Sequence, residues 1–328
     1  MTAAAILGCE GTALTPAERR FFARVRPWGF ILFARNVADA GQLVRLTEDL
    51  RQAAEHPAPV FVDQEGGSVQ RLRPPLARNW PDASAQTGGQ AAIRLRHRLM
   101  AAELRACGID GNCAPVIDVA SAHTHPFLQR RIWPGDAQAV AAAGRAAAEG
   151  LLAGGVLPVI KHLPGHGAAD ADSHHDLPRV RAPLAELEAR DFVPVRALSD
   201  MALGMSAHVV IEALDPERPA TLSPVVLAHL RRALGFDGLL MTDDIGMNAL
   251  GGPMARRAAD ALAAGCDIVL HCSGDLAEME AVAEATPPLT GAAQARAARA
   301  LAARRTPQPI DIAAAQAELD RLMGQAGA

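Results

Sequence analysis

Short apolar segments alternate along the chain with longer segments in which hydrophobic positions recur at helical spacing. Most of the apolar segments are continuous rather than strictly alternating, as in strands buried on both faces of a parallel sheet. We predict eight such strands, at Ala3–Cys9, Gly29–Phe33, Pro59–Asp63, Gly111–Asp118, Val156–His162, Ala202–Val210, Gly238–Asp243 and Asp267–Cys272.

Helices are predicted between these strands and after the last one. The first follows Thr15 and Pro16, a typical helix start. Gly108, Gly154, Gly235 and Gly265 stand between a predicted helix and the next strand, where glycine commonly ends helices. The predicted helices are Ala17–Val25, Asp39–Glu55, Ala91–Cys107, Asp136–Ala153, Pro183–Leu198, Pro224–Leu234, Pro253–Ala264, Ala292–Arg304 and Ile312–Met323.

Repeated βα units without a break in composition predict an α/β fold, a (β/α)8 or TIM barrel. We expect a single barrel domain over residues 1–328 that ends in two helices, with a doubly wound open sheet as the alternative. Aromatic residues are only 3% of the chain and tyrosine is absent, so the core must be built mainly from Ala, Leu, Val and Ile.

The net charge excludes some classes of binding partner, and the cysteine content indicates the cellular compartment. The net charge is −4 with no long run of one sign, which argues against nucleic acid or an anionic membrane surface as a partner. No apolar run approaches the ~18 residues of a membrane span. Five cysteines without a Cys-x-x-Cys pair indicate buried free thiols, and we expect a cytoplasmic protein for which no oligomer is required.

Candidate chemistry lies at the strand ends, because barrel active sites are built from the loops that follow the strands. Asp63 ends the third strand and precedes the pair Gly66-Gly67. Asp243 ends the seventh strand and Asp244 follows it, and alternation lets only one of the two point inward. We predict that Asp243, the one on the strand, is the fixed carboxylate and that Asp244 is a structural partner. His208, near the end of the sixth strand, fits a packed residue and a ligand contact equally well.

The loop after the fifth strand is the densest polar segment of the chain. Four histidines lie within fourteen positions, interleaved with Asp170, Asp172 and Asp176. A long loop of this kind over a barrel mouth is typical of a functional site. Histidine and aspartate are also ligands for zinc or iron, so a metal site is an alternative at this point.

Cleavage of a glycosidic bond would use these residues. It needs a carboxylate that meets positive charge at the anomeric carbon and a proton donor for the departing oxygen. Asp243 can serve as the first. His174 can serve as the second, since its unperturbed pKa lies near 6.5 and Asp172 can fix its orientation.

Two motifs carry a family resemblance. Residues 161–167, Lys-His-Leu-Pro-Gly-His-Gly, followed by Asp172-Ser173-His174, resemble the signature of family 3 glycoside hydrolases of the β-N-acetylglucosaminidase type. Further agreement spans nearly the whole chain, at residues 10–12, 31–36, 63–67, 112–116, 206–209, 242–244 and 264–267. The resemblance implies a TIM-barrel hydrolase that retains configuration through a covalent intermediate on Asp243, with His174 as acid/base and Asp172 as its orienting partner.

The resemblance also implies the ligand and its contacts. The substrates would be GlcNAc–1,6-anhydro-N-acetylmuramic acid and its peptide-bearing forms from peptidoglycan turnover, with no metal and no organic cofactor. The terminal sugar would be bound by Asp63, Arg71, Arg131, Lys161 and His162. Three departures are visible: Ser68 stands where the family often has arginine, Leu163 conservatively replaces Phe, and Arg130 beside Arg131 leaves open which of the two contacts the sugar.

Three other functions remain open from the sequence. A histidine acid/base tolerates phosphate as the incoming group, so a β-N-acetylglucosaminide phosphorylase is one alternative. A metal-dependent hydrolase on the His/Asp loop is a second. A non-catalytic sugar-binding protein is a third, although Asp243 and His174 are both present.

Overall fold

The computed structural model describes residues 2–122, 124–169 and 177–324. Its strands are β1 (Ala3–Leu7), β2 (Pro27–Leu32), β3 (Val60–Val62), β4 (Gln64–Gly66), β5 (Val69–Gln70), β6 (Gly111–Asn112), β7 (Leu157–Pro158), β8 (Ile160–Leu163), β9 (Arg179–Val180), β10 (Leu203–Ser206), β11 (Val210–Ile211), β12 (Leu239–Asp244) and β13 (Ile268–His271). The main sheet follows the order β7-β6-β3-β2-β1-β13-β12-β10-β8, and all of its strand pairs are parallel.

This sheet is a closed barrel. The first and last strands pair in parallel, with Ala5 opposite Val269 and Leu7 opposite His271. The strands β7 and β8 are separated only by Val159, and they form one barrel strand that pairs with β6 on one side and β10 on the other. The eight predicted strands and the (β/α)8 barrel are therefore confirmed, and the open-sheet alternative is wrong because β1 and β13 close the ring.

Several strands are shorter than predicted, and two small pairings lie outside the barrel. The predicted strand Gly111–Asp118 keeps only its first two residues as strand, with Val116 pairing Lys161 as an isolated bridge. The strands β4 and β5 form an antiparallel hairpin directly after Asp63, and β9 pairs with β11. The hairpin matters for function, since it brings Glu65 and Arg71 back over the mouth of the barrel.

The described helices are α1 (Pro16–Val25), α2 (Ala40–Ala54), α3 (Gly89–Ala106), α4 (Pro126–Gln129), α5 (Ala137–Ala153), α6 (Leu184–Ala189), α7 (Phe192–Ala197), α8 (Pro224–Arg232), α9 (Met254–Ala264), α10 (Leu276–Ala285), α11 (Gly291–Ala302) and α12 (Ile312–Gly324). The predicted start of α1 is confirmed, since the Thr15 side chain accepts a hydrogen bond from the Glu18 N–H. The helix α10 was not predicted, although Asp275 caps it by accepting from Glu278 N–H at 3.0 Å.

One predicted helix is wrong in a specific way. The segment Pro183–Leu198 is not continuous but breaks into α6 and α7 at Arg190 and Asp191. Pro194 gives the physical reason, because it has no N–H to donate to the carbonyl of Arg190 four residues earlier and its ring crowds that carbonyl. The break leaves the Asp191 side chain packed against Gly165, at the base of the loop after β8.

The barrel interior is filled by apolar side chains from several strands, among them Ile6, Phe61, Leu203 and Leu239. Ala297 and Ala300 of α11 join this cluster with Trp28. Helix α11 therefore closes the end of the barrel opposite the site described below.

A buried carboxylate ties this closed end together. Asp110 accepts from Arg51 at 2.5 Å, Arg105 at 2.7 Å and Arg304 at 2.6 Å, and is only 2% exposed. These contacts join the start of β6 to helices α2 and α3 and to the segment after α11.

All five cysteines are buried free thiols, as their apolar surroundings in the sequence indicated. Among the described helices, none combines the length and the apolar character that crossing a membrane requires.

Candidate active site

The polar strand ends converge on one cavity of about 260 Å³ at the mouth of the barrel. Its lining includes Asp243 and all five residues that the sequence nominated for sugar binding. Among the described residues, the lining is Asp63, Ser68, Val69, Arg71, Phe127, Arg131, Lys161, His162, His166, Ala207, His208 and Asp243. A cavity just below the ~300–1,000 Å³ that drug-sized ligands occupy suits one monosaccharide unit better than an oligosaccharide.

Five charged side chains of alternating sign form a row along one wall. Lys161 Nζ lies 2.9 Å from Asp63 and 2.6 Å from Glu65. Arg131 donates two hydrogen bonds to the Glu65 carboxylate, from Nε to Oε2 at 2.9 Å and from Nη2 to Oε1 at 2.8 Å. Arg71 Nη2 donates to Asp63 at 3.1 Å. The order Arg71, Asp63, Lys161, Glu65, Arg131 gives each carboxylate two cationic partners, and we call this set the charge row.

The charge row stays ionised because its members offset one another's burial. Burial by itself would raise the pKa of the Asp63 carboxyl, but Lys161 and Arg71 hold that pKa below its usual value. Burial likewise opposes ionisation of Glu65, and Arg131 and Lys161 lower the Glu65 pKa overall. Burial would lower the pKa of Lys161, whereas Asp63 and Glu65 raise it. The wall therefore offers fixed, ionised groups to hydroxyls of a ligand.

Glu65 is the member of the charge row that the sequence analysis did not nominate. It is 8% exposed and sits in the hairpin strand β4. The sequence did contain an indication of it, because Asp63 and Glu65 are two residues apart and extended backbone places such side chains on one side. What only the structure supplies is the turn back of β5, which brings Arg71 to the same wall.

The two adjacent arginines are separated by the fold. Arg131 is 9% exposed, lines the cavity and stacks its guanidinium over the Phe127 ring at 5.3 Å. Arg130 is exposed. The structure therefore brings Arg131, and not Arg130, to the site.

Arg71 has one hydrogen-bond donor without a partner in the same wall, as far as the described residues show. Its guanidinium lies over the Phe33 ring at 5.1 Å, and its buried Nε has no hydrogen-bond partner in the described ranges.

His162 is oriented by a carboxylate that the sequence analysis also missed. Its Nδ1 lies 2.7 Å from Asp118 Oδ2, and Asp118 is 1% exposed. Burial would raise the Asp118 pKa, but His162 and further hydrogen bonds lower it to about 2. A carboxylate can only accept here, so Nδ1 carries the proton. The other ring nitrogen, Nε2, faces Arg131 Nη2 at 3.4 Å.

Asp243 and Asp244 diverge at the end of β12. Asp243 lines the cavity, while the side chain of Asp244 accepts from the backbone N–H of Gly246 at 2.9 Å and of Cys272 at 3.2 Å. Burial would raise the pKa of Asp243, but His208 and His162, the Asp244 N–H and Lys161 lower it overall. A half-buried carboxylate at the mouth of the barrel is thus kept ionised.

His208 is fully buried beneath the cavity. Its Nε2 donates to the Asp244 carbonyl at 2.9 Å, and its Nδ1 lies 2.8 Å from Thr221 Oγ1. Burial lowers its pKa, so the ring is neutral near pH 7. His208 therefore supports the end of β12 from below, on the side where Asp243 faces the cavity.

The remaining sequence-predicted residues, His174 and Asp172, lie outside the described residues. The described residues include one group with the spacing of metal ligands. Asp118, His162 and His166 place ligand atoms within 4.8 Å of one another, and all three are buried.

Comparison with known proteins decides the family. The family described as "Glycosyl hydrolase family 3 N terminal domain" matches residues 18–302. The chain belongs to glycosyl hydrolase family 3. A β-hexosaminidase of Bordetella pertussis is 37% identical over 285 residues, which cover 82% of this chain and 79% of the relative. The chain is accordingly a glycoside hydrolase of the β-N-acetylhexosaminidase type.

Two solved structures of a relative show the same fold. NagZ from Neisseria gonorrhoeae in complex with N-trifluoroacetyl-D-glucosamine is 31% identical with a TM-score of 0.86, over 98% of each chain. NagZ from the same organism in complex with zinc ion is 29% identical with a TM-score of 0.84, again over 98% of each chain. The fold and the family that the sequence motifs implied are thereby confirmed.

Proposed function

We propose that this hydrolase is a retaining exo-β-N-acetylglucosaminidase that removes a terminal GlcNAc. Asp243 attacks the anomeric carbon and forms a glycosyl ester, while His174, oriented by Asp172, gives its proton to the departing oxygen. His174 then takes a proton from water as the water displaces Asp243 and releases the sugar with retained configuration. Asp63, Arg71, Arg131, Lys161 and His162 hold the terminal sugar.

One observation carries this proposal: an ionised, half-buried carboxylate faces a cavity of one-sugar size whose wall is a row of fixed charges. A nucleophilic carboxylate must be deprotonated, and the groups around Asp243 lower its pKa although its partial burial would raise it. Fixed ionised donors and acceptors recognise several hydroxyls of one pyranose without reorganising.

His162 is the other histidine that could act as acid/base, and its hydrogen bonds speak against it. Its Nδ1 is hydrogen-bonded to Asp118, and its Nε2 lies 3.4 Å from Nη2 of Arg131. Both ring nitrogens therefore already have partners in the wall, and neither is free to meet a leaving group in the cavity. The loop histidine His174 is therefore the better candidate.

Water rather than phosphate is the favoured incoming group. Each cation that lines the cavity, Arg71, Arg131 and Lys161, already pairs with Asp63 or Glu65. Asp118 and Asp243 add negative charge. A phosphate dianion would meet at least as much repulsion as attraction. We expect no GlcNAc-1-phosphate when the reaction is run in phosphate buffer, and its formation would establish the phosphorylase alternative.

The substrates that we propose are GlcNAc–1,6-anhydro-N-acetylmuramic acid and its peptide-bearing forms, products of peptidoglycan turnover in the cytoplasm. The support is the membership in a family with NagZ relatives and a cavity that takes one sugar and leaves the remainder outside. Purified anhydro-muropeptides should release GlcNAc faster than aryl β-glucosides release glucose. Equal rates on GlcNAc and glucose aryl glycosides would refute the specificity.

Replacing the two proposed catalytic groups tests the mechanism. Asp243→Ala should lower release of p-nitrophenol from the GlcNAc β-glycoside by at least 10³-fold while the circular dichroism spectrum is unchanged. His174→Ala should lose far less activity on a glycoside with a very acidic leaving group than on one with a weakly acidic leaving group, because the very acidic group leaves without a proton. Asp260→Asn, at a half-exposed acid on α9 that pairs with Arg256 and does not line the cavity, is the matched control. A near-wild-type rate for Asp243→Ala would remove Asp243 as the nucleophile.

A separate experiment tests the metal-dependent alternative. We expect full activity after exhaustive chelation, since the proposed steps use only side chains and water. Activity that disappears with chelator and returns with zinc would instead assign a catalytic role to the cluster of Asp118, His162 and His166.

A further inference from the structure

His166 lines the cavity but has no part in the chemistry proposed above. Its backbone is firmly placed: its N–H donates to Asp118 Oδ1 at 2.8 Å, and its carbonyl accepts from Ala169 N–H at 3.1 Å. The preceding Gly165 has a φ of +147°, which favours glycine. The ring therefore faces the cavity from a backbone that is fixed on both sides.

Gly167, the residue after His166, fixes the position of this segment. A Cβ on Gly167 would lie 2.0 Å from the carbonyl oxygen of Val119, so only glycine fits at this close approach. Thr124 Oγ1 donates to the carbonyl of Gly167 from the other side. The ring of His166 is thus presented to the cavity before any ligand arrives.

The ring has an unmet hydrogen-bonding capacity. His166 is only 4% exposed, yet neither Nδ1 nor Nε2 has a hydrogen-bond partner across residues 2–122, 124–169 and 177–324. Within the described part of the chain its ring packs beside that of His162, tilted by 57° with centroids 5.6 Å apart, and this contact satisfies no polar atom. A buried polar group that is left unpaired loses its hydrogen bonds to water and gains none in return, which destabilises the folded state. Such a group at a cavity wall is explained if a ligand completes it.

The charge state of the ring limits what that ligand group can be. Burial and the neighbouring His162 lower the His166 pKa to about 4, so the ring is neutral near pH 7. A neutral imidazole offers one donor and one acceptor. A group that both donates and accepts matches it, as a sugar hydroxyl or an acetamido group does, whereas a carboxylate can only accept.

We infer that His166 is a further ligand-binding residue of this cavity, whose ring hydrogen-bonds a hydroxyl or the acetamido group of the terminal sugar. The charges of the other wall residues already pair with one another: the charge row is internally matched, with Arg71 Nε as the unpartnered donor noted above, and His162 is bound to Asp118. The His166 ring is unpaired, so it gains a partner when the sugar binds. The inference rests on the proposed use of this cavity for terminal GlcNAc.

The test compares His166→Leu with the wild type in sugar binding and in thermal stability. His166→Leu should bind GlcNAc about 3- to 10-fold more weakly by calorimetry, the loss of one neutral hydrogen bond. KM for the aryl GlcNAc glycoside should rise by a similar factor. The variant should melt at or above the wild-type temperature, because it removes buried polar atoms that had no partner. His166→Asn, which restores a donor and an acceptor, should recover part of the affinity.

His229→Leu is the matched control. His229 lies on α8 away from the cavity, and its Nε2 is likewise buried without a hydrogen-bond partner within the described part of the chain. This control should leave GlcNAc affinity unchanged. A similar loss of affinity in both variants would overturn the inference, because it would indicate a general effect of losing a histidine.

Deoxy analogues then identify the group that His166 contacts. The analogues are 6-deoxy-GlcNAc, 4-deoxy-GlcNAc and glucose, which has a hydroxyl in place of the acetamido group. The analogue that lacks the contacted group should bind wild type and His166→Leu equally. An identical affinity ratio for every analogue would overturn the inference, as would a lower melting temperature with unchanged GlcNAc affinity. A wild-type protein that neither binds GlcNAc nor cleaves its glycosides would refute the proposed function, and the inference with it.

Discussion

Replacing Glu65 with Gln removes the central anion of the charge row. In the native protein Glu65 is bound by Lys161 at 2.6 Å and by Arg131 at 2.8 and 2.9 Å, and the three side chains are all less than 10% exposed. Lys161 would keep Asp63 as an anionic partner, but Arg131 would lose the carboxylate that binds it, since the glutamine amide carries no charge. Breaking a buried pair on one side typically costs about 3–5 kcal/mol, because a buried charge is left uncompensated.

Urea unfolding, followed by the fluorescence of the three tryptophans, measures this cost. Asp49→Asn is the control, since Asp49 pairs with Arg19 at a similar distance of 2.6 Å but on the surface, where such pairs contribute less than about 1 kcal/mol. Adding Arg131→Met to Glu65→Gln should restore part of the stability, because the stranded guanidinium is removed. A loss for Glu65→Gln no larger than that of Asp49→Asn, or no recovery in the double variant, would refute the reasoning.

Three further predictions concern parts of the molecule away from the charge row. Burial lowers the pKa of His97 to about 3 in the folded protein, whereas in the unfolded chain it lies near 6.5. Below pH 6.5 the unfolded chain therefore binds a proton at His97 that the folded protein does not bind. Between pH 7 and pH 5 the wild type should lose about 2 kcal/mol more stability than His97→Leu, measured by urea unfolding, and parallel pH curves would contradict this. Asp110→Asn, which strands three arginines at the closed end of the barrel, should cost roughly 3 kcal/mol by the same assay and leave KM unchanged. Leu203→Ala, in the barrel interior, should cost about 2–5 kcal/mol, and a cost below ~1 kcal/mol would show that the barrel interior is loosely packed there.

Local chemistry accounts for what could be predicted of the fold. Continuous apolar segments mark strands that are buried on both faces, and the start of α1 is marked by Thr15 and Pro16, so the βα order was readable. Pro194 indicates the break between α6 and α7 in the sequence as well, although the helical pattern around it favours one continuous helix. The exact strand lengths were not readable, because a residue counts as strand only if a neighbouring strand offers a partner at the right register.

For the site, position on a strand end was sufficient for some residues and insufficient for others. Asp63, Lys161, His162 and Asp243 lie at or next to strand ends, and the barrel topology alone brings them together. Arg131 was nominated only through the family motif, since its place in the cavity depends on the path of a loop. The partner of His162 was not predictable from pattern, because Asp118 is 44 residues distant and reaches the ring only in the folded barrel.

The sequence by itself determined the order of strands and helices, the family and the set of polar strand ends, because these follow from local patterns and short motifs. The tertiary structure alone decided that the sheet closes, that Arg131 rather than Arg130 enters the cavity, and that Glu65 stands between Lys161 and Arg131. It also left the ring of His166 unpaired at the wall. The physical reason is that charge pairing and hydrogen-bond satisfaction depend on distances of a few ångströms between residues far apart in the chain, and only the closed barrel sets those distances.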